Sequence, residues 1–130
     1  MVLLPVADSV AAAVARLEAV IAARQIRVFA RIDFAADAAA AELAMPPAVL
    51  LVFGQPRAGT PLMVAAPTIA LDLPLKILIY QDRAGAAWVG YNSAEYLGER
   101  HKVPRELLAN IGAITVLAGI AAGPSKTTKG

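Results

Sequence analysis

The chain has no cysteine and only one histidine. Without thiols it can form neither a disulfide nor a thiolate metal site, and a lone imidazole cannot assemble tetrahedral zinc, so no metal or cofactor is expected. Charge is sparse as well: Asp, Glu, Lys and Arg make up 17% of the residues, and part of the net +2 comes from Lys126 and Lys129 near the C-terminus. No basic stripe forms, which argues against nucleic acid as a partner. The N-terminus lacks a basic segment and a small-residue cleavage site, so the cytoplasm is the expected compartment. Leu107 to Gly123 is the most apolar run, yet it contains Asn110, Thr115 and three glycines and is shorter than the ~20 residues of a spanning helix. A buried helix is expected there, with no membrane.

What the chain does have is apolar residues, 58% of 130. That length suits one domain, expected over residues 1–122, with residues 123–130 a disordered tail. So high an apolar fraction predicts that a second copy of the chain covers part of the surface.

Leu50 to Tyr80 organises the rest. Val49 to Phe53 is an unbroken apolar run of strand length closed by Gly54 and the turn-forming Gln55-Pro56-Arg57-Ala58-Gly59. Thr60-Pro61 has the chemistry of a helix start, a hydroxyl to accept an orphan N–H and a proline where no donor is needed, so a helix is predicted from Thr60. Pro67 should divide it into two short pieces, and Pro74 marks its exit. Arg57, Gly59 and Thr60 would then gather backbone N–H groups, a hydroxyl and a guanidinium at the positive end of a helix, a candidate site for a small anionic ligand. A well-capped turn that binds nothing has the same residues.

Met1 to Val6 reads as an edge strand, and Asp8 or Ser9 caps a helix with Val10, Val14, Leu17 and Ile21 inward and Arg16 and Arg24 outward. From Gln25 the period is two: Ile26, Val28, Ala30 and Ile32 point one way, Arg27, Arg31 and Asp33 the other. Phe34 to Leu43 reads as a short helix. Leu75 to Gln81 runs into Asp82-Arg83-Ala84-Gly85, a type I turn with a glycine bulge that pairs Tyr80 with Trp88 and Leu78 with Gly90. Ser93 caps a helix reaching His101, and Pro104 opens a last helix with Leu107, Leu108, Ile111, Ile114, Leu117 and Ile120 on one stripe.

This pattern predicts an α+β fold in two layers, with helices mainly on one face of the sheet. Arg27, Arg31, Asp33, Lys76, Tyr80 and Trp88 are expected on the other face, as a subunit interface, a ligand surface that includes Lys76, or a solvated face. Alternative functional readings are an enzyme using Lys76, Asp33 or His101, and a structural or interaction module without a ligand.

The segments VFARID, LLVFGQPRAGTPLM, APTIALDLPLKILIY and YNSAEYLGERH resemble, in order and spacing, the bacterial and archaeal family known as domain of unknown function 302. The resemblance covers about Val10 to His101. It implies a curved, mostly antiparallel sheet of TATA-binding-protein-like architecture and a homodimer, and it implies no established reaction. Phe34 stands where the family pattern commonly has a histidine, so a site using an imidazole there is not expected.

Overall fold

Ile77 and Ile79 are fully buried, while Lys76, Leu78 and Tyr80 around them are half-buried, the alternation of a strand with one covered face and one open face. That strand, β4 (Leu75–Gln81), is the centre of a five-stranded antiparallel sheet. The computed structural model describes residues 1–124, so all but the first two residues of the expected tail lie outside the described residues. β1 (Val2–Pro5), β2 (Arg27–Asp33), β3 (Ala48–Gly54) and β5 (Ala87–Tyr91) complete the sheet in the order β1-β5-β4-β3-β2. Pro5 therefore sits in an edge strand, where its missing donor costs no sheet hydrogen bond.

Helices cover one face. In α1 (Val10–Ala23) the Ser9 hydroxyl accepts the Ala12 N–H at 3.1 Å, and Val10, Ala13, Val14, Leu17 and Ile21 are buried. They meet Ile114, Leu117 and Ala118 of α5 (Ala113–Ala122) and the sheet residues Leu51, Phe53, Ile77, Ile79 and Val89 in one core. Arg16, expected in solvent, instead joins the two helices. Its Nε and Nη2 donate to the Ala121 carbonyl at 3.1 and 2.9 Å, occupying an acceptor that the end of α5 leaves free. Its guanidinium also meets the Asp8 carboxylate at 2.7 and 2.8 Å and holds that carboxyl below its ordinary pKa.

The last helix is not continuous from Pro104. A 3-10 segment, Arg105–Ile111, precedes α5, and the Gly112 N–H reaches only back to the Ala109 carbonyl. Packing explains the break, because Leu108 lies on the bare backbone of Gly98 in α4 (Ala94–His101); a Cβ at Gly98 would come within 2.7 Å of it. Ile120, expected on the buried stripe, is 36% exposed as a result of the new phase. Pro67 divides the preceding helical region as predicted, into α3 (Pro56–Ala65) and a 3-10 turn, Pro67–Leu71.

The β4–β5 hairpin has the register its turn chemistry predicted, Tyr80 opposite Trp88 and Leu78 opposite Gly90. Gly85 takes a φ of 92°, and the Asp82 carboxylate accepts from the backbone N–H groups of Ala84 and Ala86 and from the Trp88 indole, each at 2.9 Å. The indole donor and those amides favour the charged carboxylate and lower its pKa from the ordinary 3.8. A depressed carboxyl pKa stabilises the fold fully above the unfolded value, and the contribution is lost as pH falls through the lower folded value. Trp88 is the only tryptophan, so its fluorescence should change in an acid titration with a midpoint below 3.8. That transition should be absent in Asp82→Asn; a midpoint at or above 3.8 would contradict this account of the turn.

In β2 the structure departs from the simple period of two. Val28 pairs with Phe53 but Ala30 pairs with Val52, which leaves Phe29 as a bulge and reverses the facing of everything after it. Arg31 and Asp33, expected on the open face, lie opposite Leu51 and Val49 on the covered side. There Arg31 donates to Glu18 of α1 at 3.0 Å, and the Asp33 carboxylate caps α2 (Phe34–Ala40) by accepting the Ala36 N–H at 2.9 Å. Ala30 and Ile32 take their places. The open face thus has a row Leu3, Gly90, Leu78, Leu50, Ile32 crossing all five strands, flanked by Trp88 and Tyr80 on one side and Lys76 and Val52 on the other.

Candidate functional site

β3 ends at Gly54, which lies against Pro74; a Cβ there would meet the proline ring at an ordinary contact distance of 3.6 Å. The chain then turns at Gln55 into α3, which starts at Pro56, one turn earlier than the Thr60 start predicted from sequence. Pro56 supplies the missing donor that suits a first helical position, and Thr60-Pro61 falls inside the helix. The expected anion site at a Thr60 N-terminus is therefore corrected, because the N–H groups around Thr60 belong to the helix ladder. Gln55 is the cap residue and makes no side-chain capping bond.

Between this turn, the lead into β4 and the join of the 3-10 segment with α5 lies a cavity of about 440 Å³. Its floor is Phe53, Leu75, Ile111 and Leu117, all buried. Gly59 and Thr60 form part of one wall; Ile26 and the bulged Phe29 form part of another. Asn110 ties the walls together by donating Nδ2 to the Ala58 carbonyl at 3.2 Å. No charged side chain lines the cavity, and Gln55 and Thr60 line it with no side-chain hydrogen bond among the described residues. Its size is within the roughly 300–1,000 Å³ of small-molecule sites, and its lining has their usual composition, apolar with a few polar groups.

Of the residues predicted for the site, Gly59 and Thr60 belong to this cavity. Arg57 lies between two lining residues, Pro56 and Ala58, but is itself exposed and outside the lining. Lys76 is elsewhere: it is on the open face, donates to the Pro74 carbonyl at 3.2 Å, and lines a separate cleft of about 190 Å³ with Asp72 and Asn92. Asp33 caps α2, so the structure does not assemble Lys76, Asp33 and His101 into one site.

His101 has partners that the sequence reading missed. Its ring, 5% exposed at the end of α4, places Nε2 at 2.5 Å from Asp72 and Nδ1 at 2.9 Å from the Thr68 hydroxyl, and Arg100 reaches the same carboxylate at 3.2 Å. Thr68 lies in the 3-10 turn and Asp72 caps its end, and both reach the last turn of α4. The order Thr, His, Asp is that of a nucleophile relay, yet neither cavity is lined by Thr68 or His101. The cluster fastens α4 to the 3-10 turn, and the Arg100 cation near the helix C-terminus suits its dipole.

The model of the family described as Domain of unknown function DUF302 matches residues 3–117. The chain is 39% identical over 95 residues to the fluoride-specific ion channel FluC 1 of Brucella suis, which is 73% of this chain and 37% of that protein. Against the fluoride-specific ion channel FluC 2 of Brucella melitensis the figures are 39% over 95 residues, 73% of this chain and 35% of that protein. It thus spans little more than a third of these curated relatives. The crystal structure of a conserved DUF302 protein from Bacillus stearothermophilus superposes with a TM-score of 0.77 at 18% identity, covering 92% of this chain and 96% of that one.

Proposed function

Because the chain belongs to the Domain of unknown function DUF302 family, we propose that it is a homodimeric binding module of the cytoplasm that holds a small molecule in the cavity beside Gly59 and Thr60. The observation that carries this reading is the cavity itself, a buried apolar floor with the uncommitted side chains of Gln55 and Thr60 in its wall. Catalysis has less support, since the candidate acid, base and amine residues lie in three different places. Channel activity is named for relatives of which this chain spans about a third, and it is not carried over. Arg105–Ala122 is apolar and long enough to cross a membrane, but here it is divided between a 3-10 segment and an α-helix that packs on the core.

The test is a thermal-shift screen of a metabolite library against the wild type and Ala113→Phe, in which an exposed lining residue is enlarged to fill the cavity. A ligand present at a hundred times its Kd adds about 2.7 kcal/mol of stability, several degrees in Tm. Stabilisation by at least one compound, absent in Ala113→Phe, is expected. Equal shifts in both proteins, or none in the wild type, would count against the cavity.

Self-association rests on a separate observation, the apolar row Leu3, Gly90, Leu78, Leu50, Ile32 on the face opposite the helical core, where Leu3 is exposed and Leu78, Leu50 and Ile32 are half-buried. A second copy meeting the same row by two-fold symmetry would bury it.

A further inference from the structure

We infer that the cavity takes an amphiphile with an unbranched aliphatic body and one anionic end, of the carboxylic-acid class, with Arg27 as the residue that receives the anion; this rests on the cavity being a ligand site. The lining has no charge to pair with an ion, so the body of the ligand must be neutral and largely apolar. Charge begins at the rim. Phe29, at the bulge in β2, lines the cavity wall with the residue 44% exposed, and the Arg27 guanidinium lies 4.7 Å from its ring centroid. Arg27 is also paired across the sheet with Gly54, a second lining residue. It makes no ion pair among the described residues, and neither does Arg57, which stands between the lining residues Pro56 and Ala58.

A cation stacked on an aromatic face keeps its N–H edge free for a carboxylate, and guanidinium geometry suits two oxygens at once. The bulge therefore does more than shift the register of β2: it sets an apolar wall and its cationic rim side by side. A fully charged ligand such as a sugar phosphate would leave the apolar floor dry and empty, whereas an alkyl chain fills it.

Isothermal titration of the full chain with hexanoate, octanoate and decanoate, and with the matching straight-chain alcohols, tests this below micellar concentrations. Affinity should rise roughly fourfold per methylene, the value of burying one CH₂, until the cavity is full. Each carboxylate should bind roughly tenfold or more tightly than its alcohol, with the difference removed by Arg27→Gln and reduced by high salt. Ala113→Phe should abolish binding of both. If alcohols bind as well as acids, or Arg27→Gln changes nothing, the anionic end is wrong while the cavity reading stands. If neither series binds, the aliphatic class is wrong; hits from the metabolite screen that Ala113→Phe removes would then keep the cavity reading alive. Binding that survives Ala113→Phe lies outside the cavity and overturns both.

Discussion

Replacing Leu78 with aspartate should convert a particle of about twice the 13.5 kDa chain mass into one of that mass, measured by light scattering at micromolar concentration. Leu78 is the middle residue of the open-face row, with Gly90 on one side and Leu50 on the other. A specific interface typically buries ~800 Å² per partner around an apolar centre, and this row is the part of the sheet that can supply one. An isologous interface repeats every change twice. An unpaired buried charge costs about 3–5 kcal/mol, so two of them weaken association by roughly 10⁴-fold or more. Trp88→Asp, at the flank of the row, should act in the same direction. Val64→Asp is the control, since Val64 lies on α3 and is 78% exposed, and it should leave the mass unchanged. A wild type that scatters as a monomer would remove homodimer formation from the proposal, as would a Leu78→Asp dimer of full strength.

The neighbouring residue should behave in the opposite way. Ile77 is fully buried against the helices, so Ile77→Ala removes apolar contacts and leaves a cavity, at a cost of about 2–5 kcal/mol. For a chain of this length that corresponds to roughly 10–15 °C in Tm near the middle of the range. Total stabilities are about 5–15 kcal/mol, so the loss is a large share of the whole. Denaturant unfolding should show a lower midpoint with an unchanged slope. The protein should still associate at concentrations where it is folded, because the open face is untouched. A loss below 1 kcal/mol would mean that β4 is not the covered centre of the sheet.

Neighbouring positions with opposite consequences follow from the strand period, and that much is readable in the sequence. Asp82, Gly85 and the alternation on either side of them set the hairpin register, since a turn of this kind admits few backbone geometries and a one-residue slip would reverse every side chain. The Ser9 and Ser93 caps and the division at Pro67 were legible for the same reason. Each is a contest between a few groups a few residues apart, and the sequence contains all the contestants. The family motifs add the antiparallel sheet, which the structure bears out.

What tertiary structure alone decided was the content of the two faces and the character of the site. Nothing in Ile26 to Asp33 marks Phe29 as the residue to be bulged; the bulge depends on how β2 pairs with β3, and it moves Arg31 and Asp33 to the covered side. Thr60-Pro61 and Pro56 both offer good helix starts, and the choice went to Pro56, where the chain leaves Gly54 and packs α3 beside Leu73 and Pro74. Gly59 and Thr60 read from sequence as part of an anion-binding helix end; the apolar floor of the cavity they line comes from Phe53, Leu75, Ile111 and Leu117, spread over 65 positions of the chain, roughly half its length. Local chemistry names turns and caps because their partners are near in sequence, whereas a cavity is the space left between elements and exists only once they have packed.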